Sequence, residues 1–345
     1  MEQKTFELKP MKIGDVLDYS IEIFKANFKT LAVMTVMLYI PWIFIYSFIT
    51  SKLLGDQITQ YIEIITGAMT DTSELEEFTN NSFMYSAISN LVSLLELCYR
   101  LTIKLVLNAA VIKVVYDYVL GKKSEINSFK DILKTIRESF GYMPRMMGNA
   151  VLFGLIVYAA YIGSAIVGAI IILVPSVLLL TAVPNTATIV FIIVLASLVV
   201  LGILFCVGLF WVKLIFGANA IILEKKSVAD SLKRSWQLSN GHFWHIGSVS
   251  IFGLVLIFII GNMLSAVSLF AMMISQNLFV LLYTVTQILS SILHPFELIF
   301  ITVLFINMKI RKEGLDLEVK VNKLFSEQSQ KLGNVSGDDN DEHKL

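Results

Sequence analysis

Charge is scarce in this sequence. Only 16% of its 345 residues are charged, 27 basic and 27 acidic, and the formal net charge is zero. A soluble domain carries about a quarter charged residues, so an ordinary water-facing surface is excluded. The zero balance also removes any case for a nucleic acid partner. Cysteine is nearly absent: Cys98 and Cys206 both fall in apolar runs and read as buried small apolar residues, not as a disulfide or a metal pair. Histidine numbers four. His242 and His245 flank an aromatic pair without further ligands, so neither a metal nor another cofactor is expected. No glycine-rich phosphate loop occurs, which argues against an ATP-driven pump, and no Ser/His/Asp arrangement can be drawn. Nor is there a cleavable leader. The first apolar run begins only near Thr30, after a lysine-bearing amphipathic stretch, so the first span is expected to stay as an anchor.

What the chain has is hydrophobic length. Apolar residues make up 56% of it, gathered in runs such as 31–50, 150–180, 189–223, 246–274 and 278–306. Each is long enough for the roughly 20-residue helix that crosses a bilayer core. Basic residues punctuate these runs in phase. Lys12, Lys25 and Lys29 precede the first, Lys122 to Arg145 lie between the second and third, Lys225 to Arg234 between the fourth and fifth, and Arg311 and Lys312 follow the last. The intervening loop at 55–82 is acidic and has no lysine or arginine. Under the positive-inside rule this predicts six spans, near 30–52, 83–118, 148–174, 187–223, 246–274 and 278–309, with both termini in the cytoplasm. The expected fold is an all-α polytopic membrane helix bundle with cytoplasmic amphipathic interfacial helices. Residues 1–29 read as an interfacial helix, 30–310 as the transmembrane domain, and 311–345 as a cytoplasmic tail that is largely disordered after about 326. The stretch 148–183 is too long for one span, so Pro175 is expected to mark a break or a re-entrant bend.

Three cytoplasmic segments look alike. They are Asp15-Val16-Leu17 with Phe24, Asp131-Ile132-Leu133 with Phe140, and Asp230-Ser231-Leu232 with Trp236. Asn27-Phe28 and His242-Phe243 fall at the same distance from their aspartates. Each segment precedes a pair of spans, which suggests a helix-plus-hairpin unit repeated three times. Capping aspartates on unrelated amphipathic helices would look the same.

Polar residues inside spans are the candidates for chemistry. Glu96, Arg100 and Lys104 share one helix face, with Asn108 extending the stripe. Gln287, His294 and Glu297 surround Pro295 in the last span, where a kink could open a pocket and Glu297 could meet Arg100 or Lys104. Ionisable groups in a bilayer are costly and usually line an interior or a wet cavity. A Glu96–Arg100 pair that only orders the bundle is the structural alternative. In the third span Ala160, Ser164 and Gly168 form a small-residue stripe, which speaks for close helix packing.

The most specific stretch begins at Glu224, passes through Arg234-Ser235-Trp236, and reaches Gly241-His242-Phe243-Trp244. It resembles the membrane domain attached to some bacterial glycerophosphodiester phosphodiesterases and also found standing alone. The start Ile13-Gly14-Asp15-Val16-Leu17 and the end Arg311-Lys312-Glu313-Gly314-Leu315 resemble the termini of that family. The resemblance implies its membrane fold in a bacterial plasma membrane. In the family catalysis belongs to a separate soluble barrel, for which this chain has no room beyond Lys309, so no enzyme activity is expected.

A non-catalytic membrane protein is therefore expected, one that binds a membrane component, scaffolds a partner or assists transport. Its expected partners are the lipid bilayer and a membrane protein or a second copy. The rival is a transporter or channel lined by spans two and six. A membrane-embedded lipid enzyme would need an acid and histidine cluster that the sequence does not offer.

Overall fold

The computed structural model describes residues 10–51, 72–121, 128–183, 185–272 and 274–314. Residues 1–9, the acidic loop over 55–71, Lys122, Lys123, Pro184 and the tail after 314 lie outside the described residues. All elements within them are α-helices: α1 (Ile13–Leu38), α2 (Ile40–Ser51), α3 (Thr72–Arg100), α4 (Ile103–Val119), α5 (Phe129–Phe140), α6 (Met143–Ala182), α7 (Thr186–Leu214), α8 (Gly217–Leu223), α9 (Val228–Ser239), α10 (Phe243–Met272), α11 (Gln276–Ile292) and α12 (His294–Glu313).

Among the described residues, four stretches are long and apolar enough to cross a membrane: α6, α7 with α8, α10, and α11 with α12. The pair α1–α2 makes a fifth if its 56° bend is counted within one span. Pro41, lacking an N–H, follows that bend. The run 83–118, expected as a continuous second span, is two helices, because the chain breaks at Leu101–Thr102, with Thr102 at φ −120° and ψ −90°. Neither α3 nor α4 meets the length and hydropathy of a span among the described residues. α3 is the least apolar of the long helices, and α4 has only 17 residues.

Further expectations are corrected. No break occurs at Pro175, since α6 runs through it for 40 residues. The carbonyl of Ile172, one turn earlier, accepts the Ser176 hydroxyl at 2.5 Å. The cysteines are free but not buried: Cys98 is exposed and Cys206 half-buried. The N-terminal amphipathic stretch is also joined to the first apolar run, as α1 is continuous across Thr30.

The core is a trio of α1, α4 and α12. Val16, Ile23 and Leu31 of α1 share it with Val106, Leu107 and Val111 of α4 and with Val303 and Phe305 of α12, all buried. At the end of this trio nearest the Arg234 stretch, Asn307 clamps the segment that leads into α1. Its Oδ1 accepts the Met11 N–H at 2.9 Å, its Nδ2 donates to the Met11 carbonyl at 3.3 Å, and Arg311 donates to that same carbonyl at 2.6 Å.

Outside the trio, α6 pairs with α7 and α10 pairs with α11 as hairpins. Gly168 of the small-residue stripe sets the closest approach of the first: a Cβ there would lie 2.6 Å from Val199 Cγ1. Beyond its base this hairpin exposes Leu155, Ile166, Ile170, Val194 and Leu201. Such a surface is far too apolar for water but fits a bilayer, where packing rather than hydrophobic burial holds helices together.

The three aspartates of the look-alike segments occupy the same place. Asp15 accepts from the Lys12 N–H at 2.9 Å, Asp131 from the Ser128 N–H at 3.0 Å, and Asp230 from the Ser227 hydroxyl at 2.6 Å, each in the first turn of its helix. The residues directly after them, Val16, Ile132 and Ser231, are all buried, as are Ser20, Ile136 and Ser235 one turn on.

Candidate functional site

Three helix breaks meet at one end of the core trio: Tyr39 between α1 and α2, Leu101–Thr102 between α3 and α4, and Leu293 between α11 and α12. Pro295 in the first turn of α12 lacks the N–H that would continue α11. Along α12 this level is roughly 22 Å from Lys309 at the other end.

Most of the polar candidates are drawn together here, along with aromatic residues that charge patterning does not reveal. Glu96 accepts Arg100 Nε on one oxygen and Trp42 Nε1 on the other, each at 2.5 Å. His294 Nε2 lies 3.3 Å from Asn108 Oδ1, and its Nδ1 lies 3.6 Å from Glu297. Glu297 therefore faces His294, one turn away, and forms no ion pair with Arg100 or Lys104 among the described residues. Lys104 Nζ sits 5.7 Å from the centroid of the Tyr39 ring. No hydrogen bond or ion pair to Lys104 forms among the described residues. Arg100 is 59% exposed and uses only Nε on Glu96. Gln287, on α11, has no hydrogen bond or ion pair to this group among the described residues.

A column of rings threads the site. His294 stacks on Tyr39 at 5.7 Å, Tyr39 on Tyr99 at 5.7 Å, Tyr99 on Trp42 at 5.1 Å, and Trp42 on Tyr46 at 6.2 Å. Tyr99 also donates to the Leu38 carbonyl at 2.6 Å, one of the acceptors exposed by the bend. The sequence offered a signal for these residues in Pro41-Trp42, a helix breaker beside an indole.

The family-like stretch forms a second polar assembly at the opposite end. Arg234 forks onto Glu224, with Nε at 2.8 Å and Nη2 at 2.9 Å, and lies 2.6 and 2.8 Å from the two oxygens of Glu313. Lys309 reaches Glu224 at 3.2 Å. Burial alone would raise the Glu224 pKa, but hydrogen bonds and charge from Arg234 and Lys309 outweigh it and hold the carboxyl below its ordinary value. The hydrogen bond to Glu224 likewise holds the Arg234 pKa up. Ser235 bridges the break between α7 and α8, accepting the Phe216 N–H at 3.1 Å and donating to the Lys213 carbonyl at 2.8 Å. Trp236 lies under Lys213 Nζ at 5.3 Å. Gly241 takes φ +79°, which turns the chain from α9 into α10. Phe243 and Trp244 both contact Phe205 of α7, and Trp244 stays exposed. Lys312 donates to the Gln237 and Asn240 carbonyls at 2.7 and 2.6 Å. These residues tie α7, α8, α9 and α12 together, which makes the stretch a structural latch.

No curated protein and no solved structure matches the chain. A family model described as a domain of unknown function (DUF7847) matches residues 104–308, more than half of the sequence, and the chain belongs to that family.

Proposed function

We propose that this is a non-catalytic integral membrane protein of the bacterial plasma membrane, with six membrane spans, the first two of them the broken pairs α1–α2 and α3–α4, and both termini cytoplasmic, that holds an anionic membrane component at the broken-helix site. One observation carries the reading: Lys104 and the Nη atoms of Arg100 have no acceptor among the described residues, beside a helix break within a largely apolar chain. Unsatisfied cations in such a place are costly, and acceptor oxygens of a headgroup would relieve that cost. The family match includes Lys104, Asn108, His294 and Glu297. The common first-turn aspartates favour a threefold helix-plus-hairpin repeat, and the Arg234 stretch favours kinship with the membrane domain of glycerophosphodiester phosphodiesterases.

Three broken helices converging on charge also favour a transporter, since discontinuous helices form substrate sites in many transporters. Mass spectrometry of lipids retained by the purified protein tests the binding reading. The variant R100Q/K104Q is expected to lose an anionic lipid that the parent retains; an unchanged lipid complement overturns the reading. Flux in proteoliposomes that the same variant abolishes would move the transporter ahead.

A further inference from the structure

We propose that α5 is a docking surface for acidic phospholipid at the cytoplasmic leaflet, independent of the broken-helix site. It takes from the proposed function only the cytoplasmic placement of α5. The helix has one apolar arc that its neighbours cover only in part. Ile132 and Ile136, on one edge, are buried in the core, and Glu138 pairs with Lys113 of α4, so the helix is fixed to the bundle. On the other edge of the arc, Phe129, Leu133 and Phe140 are exposed in one stripe. At 100° per residue their directions fall within about 40° of one another. Lys130, Lys134 and Arg137, also exposed, flank that stripe on a single side.

Two observations select the occupant. Gly141–Tyr142 joins α5 directly to α6, the longest candidate span, which keeps α5 at the end of that span. The flank is wholly basic, the complement of acidic headgroups, while aromatic and leucine side chains suit the acyl boundary. α9 lacks this pattern: Trp236 is its one exposed large apolar residue.

The test uses the full chain in nanodiscs, with C98S and C206S, and a nitroxide attached at L133C. Accessibility to oxygen and to an aqueous nickel chelate reports depth. Immersion is expected in phosphatidylcholine mixed with phosphatidylglycerol, and shallower placement in phosphatidylcholine alone. Near 1 kcal/mol per basic residue, K130Q/K134Q/R137Q should weaken docking roughly 100-fold. High salt on the unsubstituted helix should reduce immersion in the same direction, which covers the case where the triple variant does not fold. Equal depth in both lipids, an aqueous label in both, or protection from both reagents by a protein partner would each overturn the proposal.

Discussion

Replacing Arg234 with methionine keeps most of its volume and removes its fork. Glu224 is 12% exposed and Arg234 20%, so the pair is largely out of water. Removing one partner of a buried pair costs about 3–5 kcal/mol. Glu224 keeps Lys309 at 3.2 Å, and that contact lowers the expected loss to about 2–3 kcal/mol. R234K should recover little, because an ammonium cannot make two parallel bonds to one carboxylate. Unfolding free energies in mixed micelles, measured for R234M, E224Q and the double variant, give the coupling. It should exceed about 1 kcal/mol, since each single change strands what the other would have paired. Additive effects within about 0.5 kcal/mol would refute the latch.

Further outcomes follow from other contacts. Acid should loosen the latch: the Glu224 pKa is held down in the fold, so its contribution is present above the unfolded value and lost as pH falls through the folded one. A pH titration of stability on E224Q should lack that component. S235A should cost about 1–3 kcal/mol by leaving the buried Phe216 N–H without its acceptor; a silent change in a denaturation curve contradicts this. G168L should force α6 and α7 apart at Val199, read as lost cross-linking between cysteines placed across the hairpin. Cysteine at Asn185 should label from outside intact cells and cysteine at Lys226 should not; labelling at Lys226 would end the six-span topology.

Much of the architecture was legible because hydrophobic length and basic-loop phase are one-dimensional signals. The hairpins α6–α7 and α10–α11 fall where those signals put them. The second span did not, because a run of apolar residues does not reveal a backbone break at Leu101–Thr102. Pro175 misled in the other direction: proline removes one hydrogen bond, but the helix runs on through it to Ala182. At the site, periodicity placed Glu96 beside Arg100, an i, i+4 pair, whereas the expected reach of Glu297 to Arg100 or Lys104 did not form, because Glu297 faces His294 one turn away on its own helix. Tyr39, Trp42 and Tyr99 were invisible to charge-based reading, since aromatic residues are unremarked in apolar runs.

The most direct test of the central claim is an experimental structure of the protein in lipid nanodiscs with density resolved at the helix breaks. A headgroup oxygen within hydrogen-bond distance of Lys104 Nζ or Arg100 Nη is the predicted result. A closed site in which Lys104 pairs with Glu297, with no lipid density beside Arg100, would contradict it.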